Sequence, residues 1–465
     1  MKTLRLFLFL FILSFTIPTH AQLWEKVASG GEFCVALRSD GTLWSWGFNG
    51  NGQLGINSLT QQIVPVQIGS DINWADVACG GWHCLAIKDD GTLWAWGFNG
   101  GGQLGINSIV DADIPVQVGS DNDWALIDAG QAHSVAIKTD GTLWAWGFNF
   151  YAQLGQLGGD NILVPTQAGT DNDWIKATAG GSHTLALKSD GSLWGCGADA
   201  SGQVGDGTTS DAVESFIEIV PGTDFTDVSA GFEYSLAVRS DGTLWSWGFN
   251  GSGQLGTGDF VQQSFPVQVG TDNNWMTARA GSTHAFAIKQ DQTLYGWGFN
   301  AYGEVGNGTT DSPTSPVQIG TDNDWIEIAP AKGFIIGSGV YGLHSTGRRS
   351  SQEYICATGS NFNGQLGNGT TTDQHEFSCE TSAEGISVNE AQKMLSVYPN
   401  PSTEVIRLLT GGSANGTVYT ITDMSGKQAL SGIIKSEAQE INISILPPGI
   451  YSLNIGNHFV KIVKE

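Results

Sequence analysis

The 465-residue sequence predicts an all-β protein, a seven-bladed β-propeller followed by a small C-terminal β-sandwich. Three observations carry that expectation. An aromatic residue recurs at Trp24, Trp74, Trp124, Trp174, Phe225, Trp275 and Trp325, spaced by 50, 50, 50, 51, 50 and 50, the pattern of a solenoid or propeller array. Within the copies an Asp-Gly step sits between two apolar-alternating runs, a β-hairpin signal. The 65 Gly and 17 Trp, with 14% charged residues and no segment of helical periodicity, suit neither a helical bundle nor a disordered chain.

Four short β segments are legible per copy. In the first they start at Trp24, run through VALR (35–38) and TLWSW (42–46), and end at PVQ (65–67) after a glycine-rich stretch. Radial closure of seven such units protects strand edges that an open sheet would expose. A one-dimensional β-solenoid fits less well, since its coils run to roughly 20 to 30 residues and need no hairpin of their own. Asp-Gly is expected to form a two-residue type I′ turn with positive φ at both positions. It occurs in five copies; the sixth has Asp291-Gln292, and the seventh replaces the turn by an insertion of 11 residues around Tyr341 to Ser351, read as an exposed loop.

Sixteen of the 17 tryptophans fall in three repeat columns: the opening position; Trp44, Trp94, Trp144, Trp194 and Trp245; and Trp46, Trp96, Trp146, Trp247 and Trp297. That regularity assigns them to inter-blade packing, with the following glycine (Gly47 and its equivalents) allowing close backbone approach. The motifs G-G-x-H-x-x-A-I/L at 80–87 and 180–187, S/D-D-G-T-L-W-x-W-G, and G-Q-L-G at 52–55, 102–105 and 253–256 closely resemble the regulator of chromosome condensation repeats. The resemblance covers about three quarters of the chain and implies a seven-bladed propeller. The family includes a guanine-nucleotide exchange factor and secreted inhibitors, so it implies a fold and no single function.

Lys2 and Arg5, the apolar run Leu6 to Ile17 and the exit Thr19-His20-Ala21 read as a signal peptide over 1–21. No later stretch is apolar enough to span a membrane. The propeller is expected over 22–379, a Ser/Glu/Ala linker over 380–393, and a second domain over 394–465 built from the alternating runs VIRLL, VYTITD, INISI, YSLNI and FVKIV. Within it Pro399-Asn400-Pro401, Gly426, Pro448-Gly449, Tyr451, Lys461 and Lys464 resemble the C-terminal sorting domain (type A) of the type nine secretion system. That resemblance implies export, contact with the secretion machinery, and an extracellular or cell-surface destination.

The net charge of −25, or −27 once Lys2 and Arg5 are removed, would repel phosphate backbones and excludes nucleic acid as a partner. Six cysteines, Cys34, Cys79, Cys84, Cys196, Cys356 and Cys379, match no zinc spacing. They allow 15 pairings among which sequence does not choose, and buried thiols are an equal alternative. The G-x-G-x-x-G stretches beginning at Gly50, Gly100 and Gly251 lead into no helix and are read as turn glycines. No catalytic motif is present, and no cofactor or metal is expected. His83, His133, His183 and His284 share one column, too far apart for one ion and assigned to bonding of local backbone; Asp121-Asn122-Asp123 and Asp171-Asn172-Asp173 are assigned to Asx turns.

Strand parity divides the loops between two faces. One receives the Asp-Gly turns and inter-blade connections, with Asp40, Asp71, Asp90, Asp121, Asp123, Asp140, Asp171, Asp173, Asp190, Asp241, Asp272, Asp322 and Asp324 as a charged rim. The other receives the aromatics that break the repeat: Trp82, Phe150, Tyr151, Tyr302 and Phe362. These are the candidate ligand-binding residues, since a repeat does not need them for packing. The resulting expectation is an exported binding protein that recognises a protein or glycan. A polysaccharide lyase or hydrolase hidden on the scaffold, or an adhesin or inhibitor, are the alternatives.

Overall fold

The structure, a computed structural model, describes residues 23–381 except 157, 334, 337, 338, 341 and 353, and in the C-terminal part 396–398, 405–409, 418–423, 427–435, 438–455 and 458–464. The chain divides into two compact units, Met1–Thr381 and Ser382–Glu465. The first holds seven four-stranded antiparallel sheets whose strands pair in sequence order, consecutive in the first six blades and interrupted in the seventh by a short two-stranded ladder. In the first blade these are Trp24–Ser29, Phe33–Arg38, Leu43–Gly47 and Gln62–Gln67, the four segments the repeat predicts. The expected signal peptide, 1–21, lies outside the described residues, as does 382–393 of the expected linker; residues 380 and 381 belong to the last strand, Gln374–Thr381.

The hairpin turn differs from the expectation. Gly41 has φ of 75°, yet Asp40 is not among the residues with positive φ, so this is not a type I′ turn. Gly41 N–H donates to the Arg38 carbonyl at 2.9 Å and Arg38 N–H to that of Thr42 at 3.0 Å, the arrangement of a three-residue loop in which a type I turn precedes a left-handed residue. The Asp40 carboxylate accepts from Thr42 N–H at 3.1 Å and Thr42 Oγ1 at 2.6 Å, which holds aspartate in the right-handed position and leaves only the glycine left-handed. A Cβ on Gly41 would lie 2.1 Å from the Ile72 carbonyl oxygen, so the next blade's approach also requires glycine. In the sixth blade Gln292 takes the left-handed position at φ 63°.

Three layers of side chains hold neighbouring blades together. Trp46, Trp96, Trp146, Trp247 and Trp297 are fully buried, and each indole N–H donates to the backbone carbonyl of a glutamine in the preceding blade, as Trp146 does to Gln103 at 2.8 Å. The Trp44 column is only half-buried and packs edge-on against the opening tryptophans, Trp124 to Trp144 at 5.8 Å. Between the two rings of each of the first six blades lies a cation from the second strand, Arg38, Lys88, Lys138, Lys188, Arg239 or Lys289, with Lys88 Nζ 4.7 Å and 4.1 Å from the Trp74 and Trp94 centroids, while Arg349 of the seventh blade lies over Trp325 alone.

The histidine column forms the third layer, and its partners are not local backbone. Nε2 of His83, His133, His183 and His284 lies 2.9 to 3.0 Å from the hydroxyl of Ser134, Thr184, Ser235 and Ser345 in the next blade. Ser134 Oγ itself donates to the Gln103 carbonyl at 2.8 Å, so His83 Nε2–H is the donor to it. His344 is a fifth member, 3.2 Å from Cys34 Sγ, and brings the seventh blade against the first. Trp46 Nε1–H to the Gln365 carbonyl (2.9 Å) and Ser29 Oγ to Thr346 Oγ1 (2.7 Å) complete that closure. The Cys356–Cys379 disulfide ties the third strand of the closing blade to its outer strand, Gln374–Thr381; Cys34, Cys79, Cys84 and Cys196 are free and buried.

The insertion of the seventh copy lies one loop earlier than the sequence suggests. It joins the inner strand Trp325–Pro330 to the second strand His344–Arg349 and contains the short ladder Ile335–Ile336 with Gly339–Val340. Arg348 and Arg349 belong to the second strand and are ion-paired, to Glu327 at 2.5 Å and to Asp324 at 2.7 Å.

In the second unit, Ser396–Tyr398, Val405–Leu409 and Ala438–Asn442 form one sheet, and Gln428–Ile433, Val418–Asp423, Gly449–Ile455 and His458–Lys464 pair in that order in another. Ile406, Leu408 and Ile441 of the first pack with Tyr419, Ile421, Leu453 and Ile462 of the second, giving the sandwich its core. Tyr451 O–H donates to the Pro447 carbonyl at 2.8 Å, fixing the corner that carries Pro448 and Gly449, both exposed. Lys464 is buried at the last strand's end and Lys461 lies in that strand, while Pro399, Asn400, Pro401 and Gly426 lie outside the described residues. Among the described residues no helix is long and apolar enough to cross a membrane.

Candidate functional site

Antiparallel order within each blade puts the loops between first and second and between third and fourth strands on one face. An asparagine and a glutamine organise the long loops between third and fourth strands, with Asp199 replacing the asparagine in the fourth blade and Glu304 the glutamine in the sixth. In the first blade Asn49 Oδ1 accepts from Leu54 N–H at 3.0 Å while its Nδ2 donates to the Ser58 and Thr60 carbonyls, and Gln53 Oε1 accepts from Asn51 N–H at 2.9 Å. The same bonds place the candidate aromatics. Tyr151 N–H donates to Gln153 Oε1 at 3.0 Å and Tyr302 N–H to Glu304 Oε2 at 2.8 Å.

All five candidates stand on this face, in three places. Phe150 is 64% exposed, lies over Phe148 at 6.4 Å and meets Tyr151 edge-on at 4.9 Å. Trp82 is half-buried between the repeat phenylalanines Phe98 (6.0 Å) and Phe48 (6.4 Å), so it has a packing role between blades as well as an exposed edge. Tyr302 and Phe362, the latter 77% exposed, flank a cleft of about 560 Å³ shared by the sixth, seventh and first blades, whose wall includes Glu32, Ser360, Thr371 and Asp373. Asn363 Nδ2 donates to Glu32 at 3.1 Å, and burial raises the Glu32 carboxyl to about 6. Exposed Leu59, Ile109, Val110, Phe260 and Val261 add apolar surface on the long loops of the first, second and fifth blades. Sequence reading missed these five; their signal is an apolar residue in a loop otherwise composed of Asn, Ser, Thr, Gly and Asp.

Glu304 stands where six blades have glutamine. Its Oε1 is buried without a hydrogen-bond partner, and burial, with the Asp373 carboxylate a smaller contributor, raises its carboxyl to about 8. A raised acid is favourable to the fold while protonated and loses that contribution as pH rises from about 4.5 through 8. Glu304→Gln is therefore expected to stabilise the protein by about 3 kcal/mol at pH 7, with the gain shrinking toward pH 4.5, as measured by urea unfolding at both pH values.

The acids of the opposite face are engaged structurally. Asp90, Asp140, Asp190 and Asp241 bond the turn hydroxyl two residues on, as Asp40 does. The expected Asx turns at Asp121 to Asp123 and Asp171 to Asp173 give way to ion pairs: Lys138 binds Asp121 (2.6 Å) and Asp123 (3.0 Å), and Lys188 binds Asp171 (2.6 Å) and Asp173 (3.3 Å). The cation that stacks between two indoles thus also answers the rim acids.

The seven inner strands enclose an axial cavity of about 420 Å³ whose charges pair across it: Lys26 with Asp76, and Asp227 with both Lys176 and Arg279. Lys332 reaches in from the seventh blade, its ammonium 2.6 and 2.7 Å from the Asp128 oxygens and 3.2 Å from the Ala129 carbonyl. Burial alone would raise the Asp128 carboxyl, but Lys332 holds it below its usual value. Around Lys332 the glycine-rich turns enclose only about 10 Å³. Among the described residues no three His, Cys, Asp or Glu side chains are grouped to hold a metal ion.

Comparison with known proteins agrees with this geometry. The RCC1-like domain family matches residues 14–281, the regulator of chromosome condensation (RCC1) repeat matches 291–334, and the secretion system C-terminal sorting domain matches 396–465. The ultraviolet-B receptor UVR8 of Arabidopsis thaliana is 36% identical over 69 residues, which span 15% of this chain and 16% of the receptor. Human WBSCR16 superposes with a TM-score of 0.65 at 21% identity, covering 72% of this chain and 93% of that one. Prp20p of Saccharomyces cerevisiae, whose structure was described with its binding to Gsp1p and histones, superposes with a TM-score of 0.63 at 18% identity over 78% of this chain and 88% of its own. At these identities the two structures speak for the fold alone. No enzymatic family is indicated by these matches.

Proposed function

Because the chain belongs to the RCC1-like domain family and ends in a sorting domain that directs export, we propose that it is an extracellular or cell-surface binding protein whose partner, a protein or glycan, docks on the aromatic face. One observation carries this reading: the two faces are spent differently. The rim acids of one are engaged in turns and ion pairs, whereas the other presents Phe150 and Phe362 at 64% and 77% exposure. Large rigid rings held on ordered loops offer contact area at little entropic cost and stack on sugar rings or fill protein pockets. The open cleft beside Tyr302 and Phe362 adds hydroxyls and two carboxylates for orientation. The family match carries no enzymatic expectation, and among the described residues the charges of the axial cavity are engaged in ion pairs with one another.

The export half of the proposal is tested by deleting residues 394–465 in a host with the type nine secretion system. A folded propeller is expected to accumulate in the periplasm. Normal recovery of the truncated protein from the medium or cell surface would contradict the role of the sorting domain.

A further inference from the structure

Cys79 ends the inner strand of the second blade, Cys84 is the second residue of its neighbour, and the two are register partners across the antiparallel ladder. The adjacent pair is hydrogen-bonded, Gly80 N–H donating to the His83 carbonyl at 2.9 Å. By alternation Cys79 and Cys84 form a non-hydrogen-bonded pair, where side chains stand closest and Cα atoms lie about 4.5 Å apart. That spacing falls within the range of about 4.4 to 6.8 Å that a disulfide spans. The two Sγ atoms are 3.4 Å apart, and both side chains are buried among apolar neighbours.

We propose that Cys79 and Cys84 are joined by a disulfide in the exported protein, in addition to Cys356–Cys379, and that this bond staples the turn carrying Trp82. The proposal rests on the export reading, since an oxidising compartment supplies the chemistry. The bond forms during folding, before the sulfurs are enclosed. One thiolate attacks the disulfide of an oxidising dithiol carrier protein to give a mixed disulfide, and the second thiolate displaces the carrier's sulfur. Two S–H bonds of the protein and the S–S bond of the carrier break, one S–S bond forms between Cys79 and Cys84, and the two protons pass through solvent to the carrier's sulfurs, which leave as the dithiol holding both electrons.

The other two thiols have different surroundings. Cys34 faces His344 Nε2 at 3.2 Å, and Cys196 lies 3.7 Å from the Gln153 carbonyl. Only Gly80, Gly81 and Trp82 separate the stapled strand ends. Gly80 N–H to the His83 carbonyl and Gly81 N–H to the Gly130 carbonyl of the next blade already order this turn, and a covalent closure at its base adds a constraint on Trp82 that does not open with those bonds.

Cleavage after Lys and Arg makes the test decisive, because Cys79 and Cys84 fall together in residues 39–88, Cys34 in 27–38, Cys196 in 189–239, and Cys356 with Cys379 in 350–393. Full-length protein secreted by its native host is alkylated in acid-quenched denaturant without reductant, digested and weighed. The expected result is two alkylated cysteines per chain, Cys34 and Cys196, half of the four now free, with fragment 39–88 two hydrogens lighter and unalkylated. Alkylation of both Cys79 and Cys84 while 350–393 keeps its bond would overturn the proposal and leave export standing. A cross-link between 27–38 and 39–88 would also overturn it, and both bonds absent would overturn it together with the export reading.

Discussion

Trp146→Ala is expected to destabilise the propeller by about 4 kcal/mol, the middle of the range for deleting a fully buried aromatic. The ring is completely enclosed, its Nε1 and Cδ1 lie against Gly105 of the preceding blade, and its N–H satisfies the Gln103 carbonyl. Alanine removes the burial, leaves a cavity between two sheets and takes away one of the two donors to the Gln103 carbonyl, the other being Ser134 Oγ. Trp144→Ala, two residues away, should cost roughly half as much, because Trp144 is half-exposed and its N–H bonds Thr142 of the same hairpin. Urea unfolding of the two variants measures the difference. Equal losses would show that inter-blade and rim tryptophans contribute alike, against the layering described above.

Acid is expected to unfold the propeller through its histidine ring. Burial lowers His83, His133, His183, His284 and His344 from 6.5 to about 3, so each contributes stability that is whole above pH 6.5 and is lost as pH falls toward 3. Well below 6.5 each costs about 1.4 kcal/mol per pH unit, or about 7 kcal/mol per unit for the five. Glu304, Asp199 and Glu32, raised to about 8, 7 and 6 by burial, work in the opposite sense as pH falls to about 4.5. Five groups against three leave a net loss of about 3 kcal/mol per unit between pH 6 and 4.5 and a steeper one below, comparable with a whole domain's stability within two units. His183→Gln isolates one member. The stability difference between wild type and variant should change by about 2 to 3 kcal/mol between pH 6.5 and 4.5. A constant difference over that interval would mean that His183 takes up its proton without leaving the fold.

The repeat was highly legible because each strand has its own mark: an opening tryptophan, an apolar VALR-like run, the Leu-Trp-x-Trp segment, a PVQ end. Turn geometry was less so, since Asp-Gly serves both a two-residue loop and the three-residue loop found here, and only the bond from Asp40 to Thr42 decides between them. His344 escaped notice because the insertion before it breaks the repeat spacing. The cations between the indoles share one repeat column, but nothing in sequence says that Lys88 meets both Trp74 and Trp94. The cleft depends on ring closure, which brings Glu32 beside Asn363, residues more than three hundred positions apart. Parity alone put the five off-repeat aromatics on one face, although it could not foresee that Trp82 would also fill space between Phe48 and Phe98.

Whether that face is where the partner docks is most directly measured by affinity, once arrays of proteins and glycans have identified a ligand for the mature chain. Trp82, Tyr151 and Tyr302 are replaced together by alanine, and Asp90, Asp140 and Asp190 of the opposite rim by asparagine, which keeps the oxygen that accepts from the turn hydroxyl. With both variants shown to be folded, the aromatic triple is expected to lose at least tenfold to a hundredfold in affinity, about 1.4 to 3 kcal/mol, and the aspartate triple less than threefold. Unchanged affinity in the aromatic triple with loss in the aspartate triple would place the binding site on the opposite face.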